Sequence, residues 1–154
     1  MSGIVKSLIT LGSSLLFVII VAYSVNAQEY IGSKACSQCH EEKFNSFMTH
    51  SKKAKSWRSI AVMKSKLKPN ELNQCYECHT TGHGKPGGFV SIETTPDLAQ
   101  VGCETCHGPG GAHAVAGDPK EIRRKPELVV CQSCHNQQRV SDFRFKPLIY
   151  SGAH

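Results

Sequence analysis

Eight cysteines stand in this chain, and all eight fall into four copies of one pattern, Cys-x-x-Cys-His. The copies are Cys36-Ser37-Gln38-Cys39-His40, Cys75-Tyr76-Glu77-Cys78-His79, Cys103-Glu104-Thr105-Cys106-His107 and Cys131-Gln132-Ser133-Cys134-His135. Two thiols three residues apart, followed at once by an imidazole, match the attachment site of a c-type haem. The thiols bond the two vinyl groups of one porphyrin, and the histidine reaches its iron. Zinc ribbons, redox dithiols, iron–sulfur sites and disulfide frameworks also use paired cysteines. None of them requires histidine after every second cysteine. With 8 histidines in 154 residues, chance gives four such placements with odds on the order of one in a hundred thousand. The reading is therefore four covalent haem c groups, held by Cys36, Cys39, Cys75, Cys78, Cys103, Cys106, Cys131 and Cys134. His40, His79, His107 and His135 are the proximal iron ligands.

The N-terminus agrees with this chemistry. Lys6 precedes an apolar run from Leu8 to Tyr23, and Ser24-Val25-Asn26-Ala27 ends on a small residue. That order reads as a signal peptide over residues 1–27, with a mature tetrahaem domain over 28–154. The run is short for a membrane span and broken by Thr10, Gly12, Ser13 and Ser14, so an uncleaved anchor is the lesser alternative. Export to the periplasm is expected, since covalent haem attachment belongs to the oxidising side of a bacterial membrane. An extracellular or inner-membrane-anchored location is the variant of that reading.

The mature chain supplies only about 32 residues for each haem. It lacks long apolar runs, so four porphyrins are expected to serve as the core, with folding dependent on their insertion. Charge excludes one class of partner. Without Lys6 the mature chain has 17 basic and 12 acidic residues, but each haem with its propionates adds about −1 when ferric and about −2 when ferrous. The loaded protein then lies near neutral when oxidised and negative when reduced, and nucleic acid is not an expected partner.

First cysteines recur at intervals of 39, 28 and 28 residues, too uneven for a solenoid. Ser33 is a candidate N-cap for a helix through the first motif to about Thr49, bringing His40, Phe44 and Phe47 to one face. A second helix is expected from Trp57 to Leu67, ended by Pro69. Phe89-Val90-Ser91-Ile92 reads as a short strand, and Gly108-Pro109-Gly110-Gly111 as a turn. The expected class is mainly α with much irregular coil, organised around four closely packed haems. Lys52, Lys53, Lys55, Arg58, Lys64, Lys66 and Lys68 form a run with no acidic residue between Ser51 and Asn70. It reads as a solvated face or propionate partners, or as a docking patch for an acidic redox partner.

Four histidines remain outside the motifs: His50, His83, His113 and His154. They are the candidate distal ligands, one for each iron. An iron with two protein imidazoles has no position for substrate and exchanges electrons only. On a continuous helix His50 lies about 15 Å beyond His40, too far to share its iron. His83 is only four residues past His79, too close to pass round the porphyrin. Each spare imidazole is therefore expected to reach a haem attached elsewhere. Met48 and Met63 are weaker candidates, better read as packing residues.

From Cys36 to His113 the chain resembles the tetrahaem cytochrome c-554 family. The resemblance rests on Gly32-Ser33-Lys34-Ala35-Cys36 leading into the first motif. It rests also on Cys78-His79-Thr80-Thr81-Gly82 with Gly87-Gly88-Phe89, and on Val101-Gly102-Cys103-Glu104-Thr105-Cys106-His107-Gly108-Pro109-Gly110. It implies a mostly helical fold with stacked haem pairs and electron shuttling in the periplasm, with His113 on the first-motif haem and His50 on the third. His154 would serve the fourth. Members of that family can lack a distal ligand at the second-motif haem, and here His83 stands nearby where an aromatic residue is expected. The expectation is an electron carrier between redox proteins, donor and acceptor cytochromes or oxidoreductases, in anaerobic respiration, and not an enzyme. The alternatives are an enzyme reducing nitric oxide, hydroxylamine or peroxide at a five-coordinate second-motif haem, and a homo-oligomeric filament in which His154 caps a neighbour's haem.

Overall fold

The structure is a computed structural model, and it describes residues 29–136. The expected signal peptide, His154 and the tail around it lie outside the described residues. Within them the chain forms seven short α-helices joined by irregular coil and single 3-10 turns, with no β-strand. The helices are α1 (Ser33–Cys36), α2 (Glu41–His50), α3 (Trp57–Met63), α4 (Pro69–His79), α5 (Cys103–His107), α6 (Gly111–Ala116) and α7 (Leu128–Gln132). The mainly helical class expected from the sequence is what the chain adopts.

Every attachment motif is a helical turn. α4 ends in the second motif and α5 consists of the third. In the first and fourth motifs the histidine N–H donates to the first cysteine's carbonyl, His40 to Cys36 at 2.9 Å and His135 to Cys131 at 2.8 Å. One turn of helix puts residues i and i+4 on the same side. The first cysteine and the histidine of each motif therefore share a face.

Three local expectations differ from the structure. The helix expected from Ser33 to Thr49 is two helices, because His40 leaves helical geometry (φ −119°, ψ 43°) and instead caps α2. Ser33 does not cap α1; Gly32 precedes it, and the Ser33 hydroxyl accepts a hydrogen bond from Cys103 N at 3.0 Å. Its side chain is used for a tertiary tie 70 residues away, which local patterning does not reveal. The strand expected over Phe89–Ile92 is coil and turn. Phe89 N donates to Thr81 O at 2.9 Å, but Val90 N goes to the Thr95 hydroxyl, and Thr95 N returns to Ser91 O. Threonine and serine side chains take the backbone groups a ladder would need.

Elsewhere the expectations hold with refinements. The Trp57–Leu67 helix is α3 followed by a 3-10 turn over Lys64–Lys66. Pro69 also opens α4, where its missing N–H costs nothing, and the Glu71 carboxylate accepts from Lys68 N at 2.8 Å. The glycine–proline segment breaks the chain at Gly108–Gly110, and Gly111 begins α6.

The side-chain core is small. Ile60, Tyr76, Phe89, Leu98 and Ala99 are buried together, with Tyr30, Trp57, Leu72, Cys75 and Ile92 partly buried around them. Trp57 stacks on Tyr76 at 6.0 Å, and Phe89 meets Tyr76 edge-on at 5.0 Å. Beside this cluster, buried hydroxyls do the joining. Thr81 Oγ1 donates to Gln100 O and accepts from Gly102 N, while Ser56 Oγ donates to His79 O and accepts from Val101 N. A buried hydroxyl must be paired to be tolerated, and these pairings hold segments 56, 81 and 101–103 together.

The loop after α4 is closed by glycine. A Cβ on Gly88 would lie 1.8 Å from the Gly82 carbonyl oxygen, whereas one on Gly84 would meet nothing within 4 Å. Both are ordinary surface-loop glycines by sequence. Gly88→Ala should destabilise the protein by about 3 kcal/mol through backbone displacement, against about 1 kcal/mol for Gly84→Ala, which bears only its positive φ. Denaturant titrations of the two purified variants check this ordering.

Candidate functional site: the four attachment motifs

The thiols come first. None of the eight cysteines is disulfide-bonded, and the motifs approach one another. Cys36 of the first motif touches Cys103 of the third. A hydrogen bond from Cys36 pulls the Cys103 thiol down to about 6, with Ser33 adding to the effect against burial. The same bond, then burial, pushes Cys36 up. Cys106 is pushed up first by burial and then by Cys131. Cys134 of the fourth lies 3.9 Å from the Glu77 carbonyl oxygen in the second. The third motif also meets the segment that follows the second, with Thr105 Oγ1 3.1 Å from Thr81 Oγ1, so the motifs cluster and do not run in single file.

The imidazoles are oriented by backbone carbonyls. His79 Nδ1 meets Ser56 O at 3.3 Å, His107 Nδ1 meets Arg123 O at 2.6 Å, and His113 Nδ1 meets Asp118 O at 2.9 Å. A carbonyl can only accept, so Nδ1 carries the proton and Nε2 keeps its lone pair for a metal. His83 Nδ1 is held in the same way by Phe89 O at 3.1 Å, and its ring meets Tyr76 edge-on at 5.2 Å.

Of the expected pairs, the structure brings together His40 and His113, whose rings lie nearly parallel with centres 6.1 Å apart. Two imidazoles on one iron have ring centres about 6 Å apart, because each metal–nitrogen bond is about 2 Å and each ring centre sits about 1 Å behind its nitrogen. His50 is the exposed last residue of α2, at the far end of the helix that His40 caps. His135 is drawn down first by burial and then by Lys53. Met63 is 52% exposed, so it does not pack as expected, while Met48 is half-buried.

Beside His107 lies a cleft of about 870 Å³ that also takes in Tyr30, Lys85, Arg123 and Val130. That volume falls in the range of cofactor sites. Lysine and arginine at its rim can pair with carboxylates. Unbridged thiols, imidazoles held through Nδ1 and a cleft of mixed polarity carrying cations fit covalent haem.

Two residues went unrecognised in the sequence. Glu104, inside the third motif, is 2% exposed, and its carboxylate accepts from Ile31 N (3.0 Å), Gly32 N (2.8 Å) and Gly110 N (2.7 Å). It ties the entry to α1 and the start of α6 to α5. Arg123 closes on the same motif: its N–H donates to His107 O and its guanidinium to Cys106 O at 3.0 Å. The available signal for Glu104 was a carboxylate between two cysteines in a glycine-rich, otherwise uncharged stretch. Arg123 had none, because its contacts are made by its backbone as much as its side chain.

Folded helical turns carrying Cys-x-x-Cys-His, with imidazoles oriented through Nδ1, define a multihaem c-type cytochrome, an electron-transport protein. Comparison with known proteins places it further. Residues 35–108 match the family described as cytochrome c554 and c-prime. Cytochrome c-554 of Nitrosomonas europaea is 33% identical over 129 residues, covering 71% of this chain and 55% of that protein. The chain belongs to the cytochrome c-554 family, and it spans about half the length of the curated relative it matches. No solved structure matches it. No helix among the described residues is long and apolar enough to cross a membrane.

Glu104→Gln should be nearly as damaging as Glu104→Ala. The amide offers one oxygen and turns an NH₂ group toward a backbone donor, leaving a buried N–H unpaired. Each variant should lose about 3 kcal/mol in equilibrium unfolding of the holoprotein.

Proposed function

We propose that this protein is a tetrahaem electron carrier, exported to the periplasm, relaying single electrons between redox proteins in respiration. The observation that carries the reading is the His40–His113 pair, with ring centres 6.1 Å apart. Two imidazoles at that spacing would hold one iron between them, leaving it no site for substrate. Haem, when bound, supplies an iron that gains and loses one electron without bond changes. The chain's residues do the rest. His40, His79, His107 and His135 would hold the four irons from the motif side, and His113 would complete the first. Ser56 and Arg123 fix ring orientation through His79 and His107, so little rearrangement accompanies a change of charge. Glu104 and the Ser33 hydroxyl keep the first and third motifs in contact, and that closeness makes a relay between them possible.

A second reading has one observation in its favour. Among the described residues no histidine ring lies against His79 as His113 lies against His40. A second-motif iron open on one side would bind and reduce a small molecule such as nitric oxide. Ferric electron paramagnetic resonance of the purified protein separates the two: the carrier reading expects low-spin iron throughout, and a high-spin signal that nitric oxide removes supports the reductase. His113→Ala should convert one haem of four to a high-spin, carbon-monoxide-binding form. An unchanged spectrum in that variant contradicts the assignment of His113.

A further inference from the structure

We propose that the outer face of the segment from Arg58 to Lys68 is the docking surface for an acidic one-electron carrier protein, which exchanges its electron beside the second motif. The proposal rests on the electron-carrier reading above and names the partner chemistry and the place of exchange.

The segment has two unlike faces. Inward, Ile60 is 2% exposed, in the core with Tyr76 and Phe89. Trp57, at the start of the same helix, stacks on Tyr76, which lies between the two cysteines of the second motif. Ser56, just before it, holds His79 twice, by its hydroxyl to the His79 carbonyl (2.8 Å) and by its own carbonyl to Nδ1 (3.3 Å). A surface laid against α3 is therefore separated from the second motif by one layer of side chains.

Outward, the chain is continuously exposed from Ala61 to Lys66. Val62 is 79% and Met63 52% exposed, two neighbouring apolar side chains turned to solvent in a protein short of core residues. Arg58, Lys64, Lys66 and Lys68 surround them, all exposed, with no carboxylate in the chain between Ser51 and Asn70. Lys64 does pair with Glu93 of the neighbouring loop at 3.6 Å, but both groups are well exposed, and such a pair is held weakly. Apolar residues at the centre and charge at the rim is the anatomy of a protein interface, in which methionine is enriched. Glu93 beside Lys64 and Glu71 beside Lys68 offset only part of this charge, and a rim dominated by one sign selects a partner of the other sign and speeds its approach. An anionic lipid surface shares the charge preference. It is the poorer fit, because membrane-surface helices present a broad apolar face and α3 has only seven residues.

The test uses the haem-loaded protein and an acidic plant-type [2Fe–2S] ferredoxin as the probe, with stopped-flow reduction at low and high salt. The triple variant Lys64→Glu, Lys66→Glu, Lys68→Glu should react at least about tenfold more slowly with reduced ferredoxin at low salt and lose most of its salt dependence. The triple variant Lys34→Glu, Lys43→Glu, Lys125→Glu makes the same change in net charge on other exposed positions and should stay within about twofold of the parent. Met63→Ser should weaken ferredoxin binding in an NMR titration without changing the salt dependence. Reduction by a neutral photoreduced flavin should be equal in all of them. Equal losses in the two triple variants mean that only net charge matters and overturn the proposal, as does no loss in either. Sedimentation with phosphatidylserine vesicles that the first triple variant abolishes, its ferredoxin rate being unchanged, assigns the face to lipid and overturns it too. If the parent protein takes no electron from the flavin, the carrier reading itself fails and the docking proposal with it.

Discussion

A hydrogen bond from imidazole Nδ1 to a backbone carbonyl sets what this protein can do. It recurs at His79, His83, His107 and His113, with acceptors from Ser56, Phe89, Arg123 and Asp118. Each bond fixes the tautomer and turns the free nitrogen away from the peptide that holds it. For the two motif histidines the acceptors come from other segments, 23 residues away for His79 and 16 for His107, whereas those of His83 and His113 lie 6 and 5 residues on. The orientation of an iron ligand is thus a property of the fold. The fold in turn has too few buried side chains to stand on their packing alone.

That shortage explains the polar stitching. A domain of this size ordinarily buries a continuous apolar core, yet here the buried set includes Ser33, Ser51, Ser56, Thr80, Thr81 and Glu104. Their hydrogen bonds connect the entry to α1, the turn before α3, the loop after α4 and the whole of α5. Hydrogen bonds specify geometry more sharply than apolar contacts do. A cytochrome that takes flat apolar cofactors needs that specification in the peptide around them. The first motif set against the third, and the fourth against the second, is the outcome, and neither pairing follows their order along the chain.

How much of this was legible beforehand follows from the range of each signal. The cysteine–histidine spacing is local and chemical, so the attachment sites could be named from five residues each. The helical class was legible because the motif itself is a helical turn. The break at His40 was not, since nothing in Cys39-His40-Glu41 opposes a helix; tertiary contacts of Ser33 and Cys36 with the third motif end α1. The strand at Phe89 failed because β-branched and aromatic residues signal an extended chain whether or not a neighbouring strand exists. Glu104 was invisible for the opposite reason. A charged residue reads as surface until its three backbone donors, contributed from 72 or 73 residues away and from 6 residues on, are seen together.

The account stands on porphyrin being bonded to all four cysteine pairs. Intact-mass spectrometry of the protein, matured in a host with c-type haem attachment machinery, addresses this directly. The expected species is the processed polypeptide plus four haem masses, unchanged by denaturation in acid. A polypeptide at its bare mass, or one whose cofactor is released by acid, would contradict the account at its root.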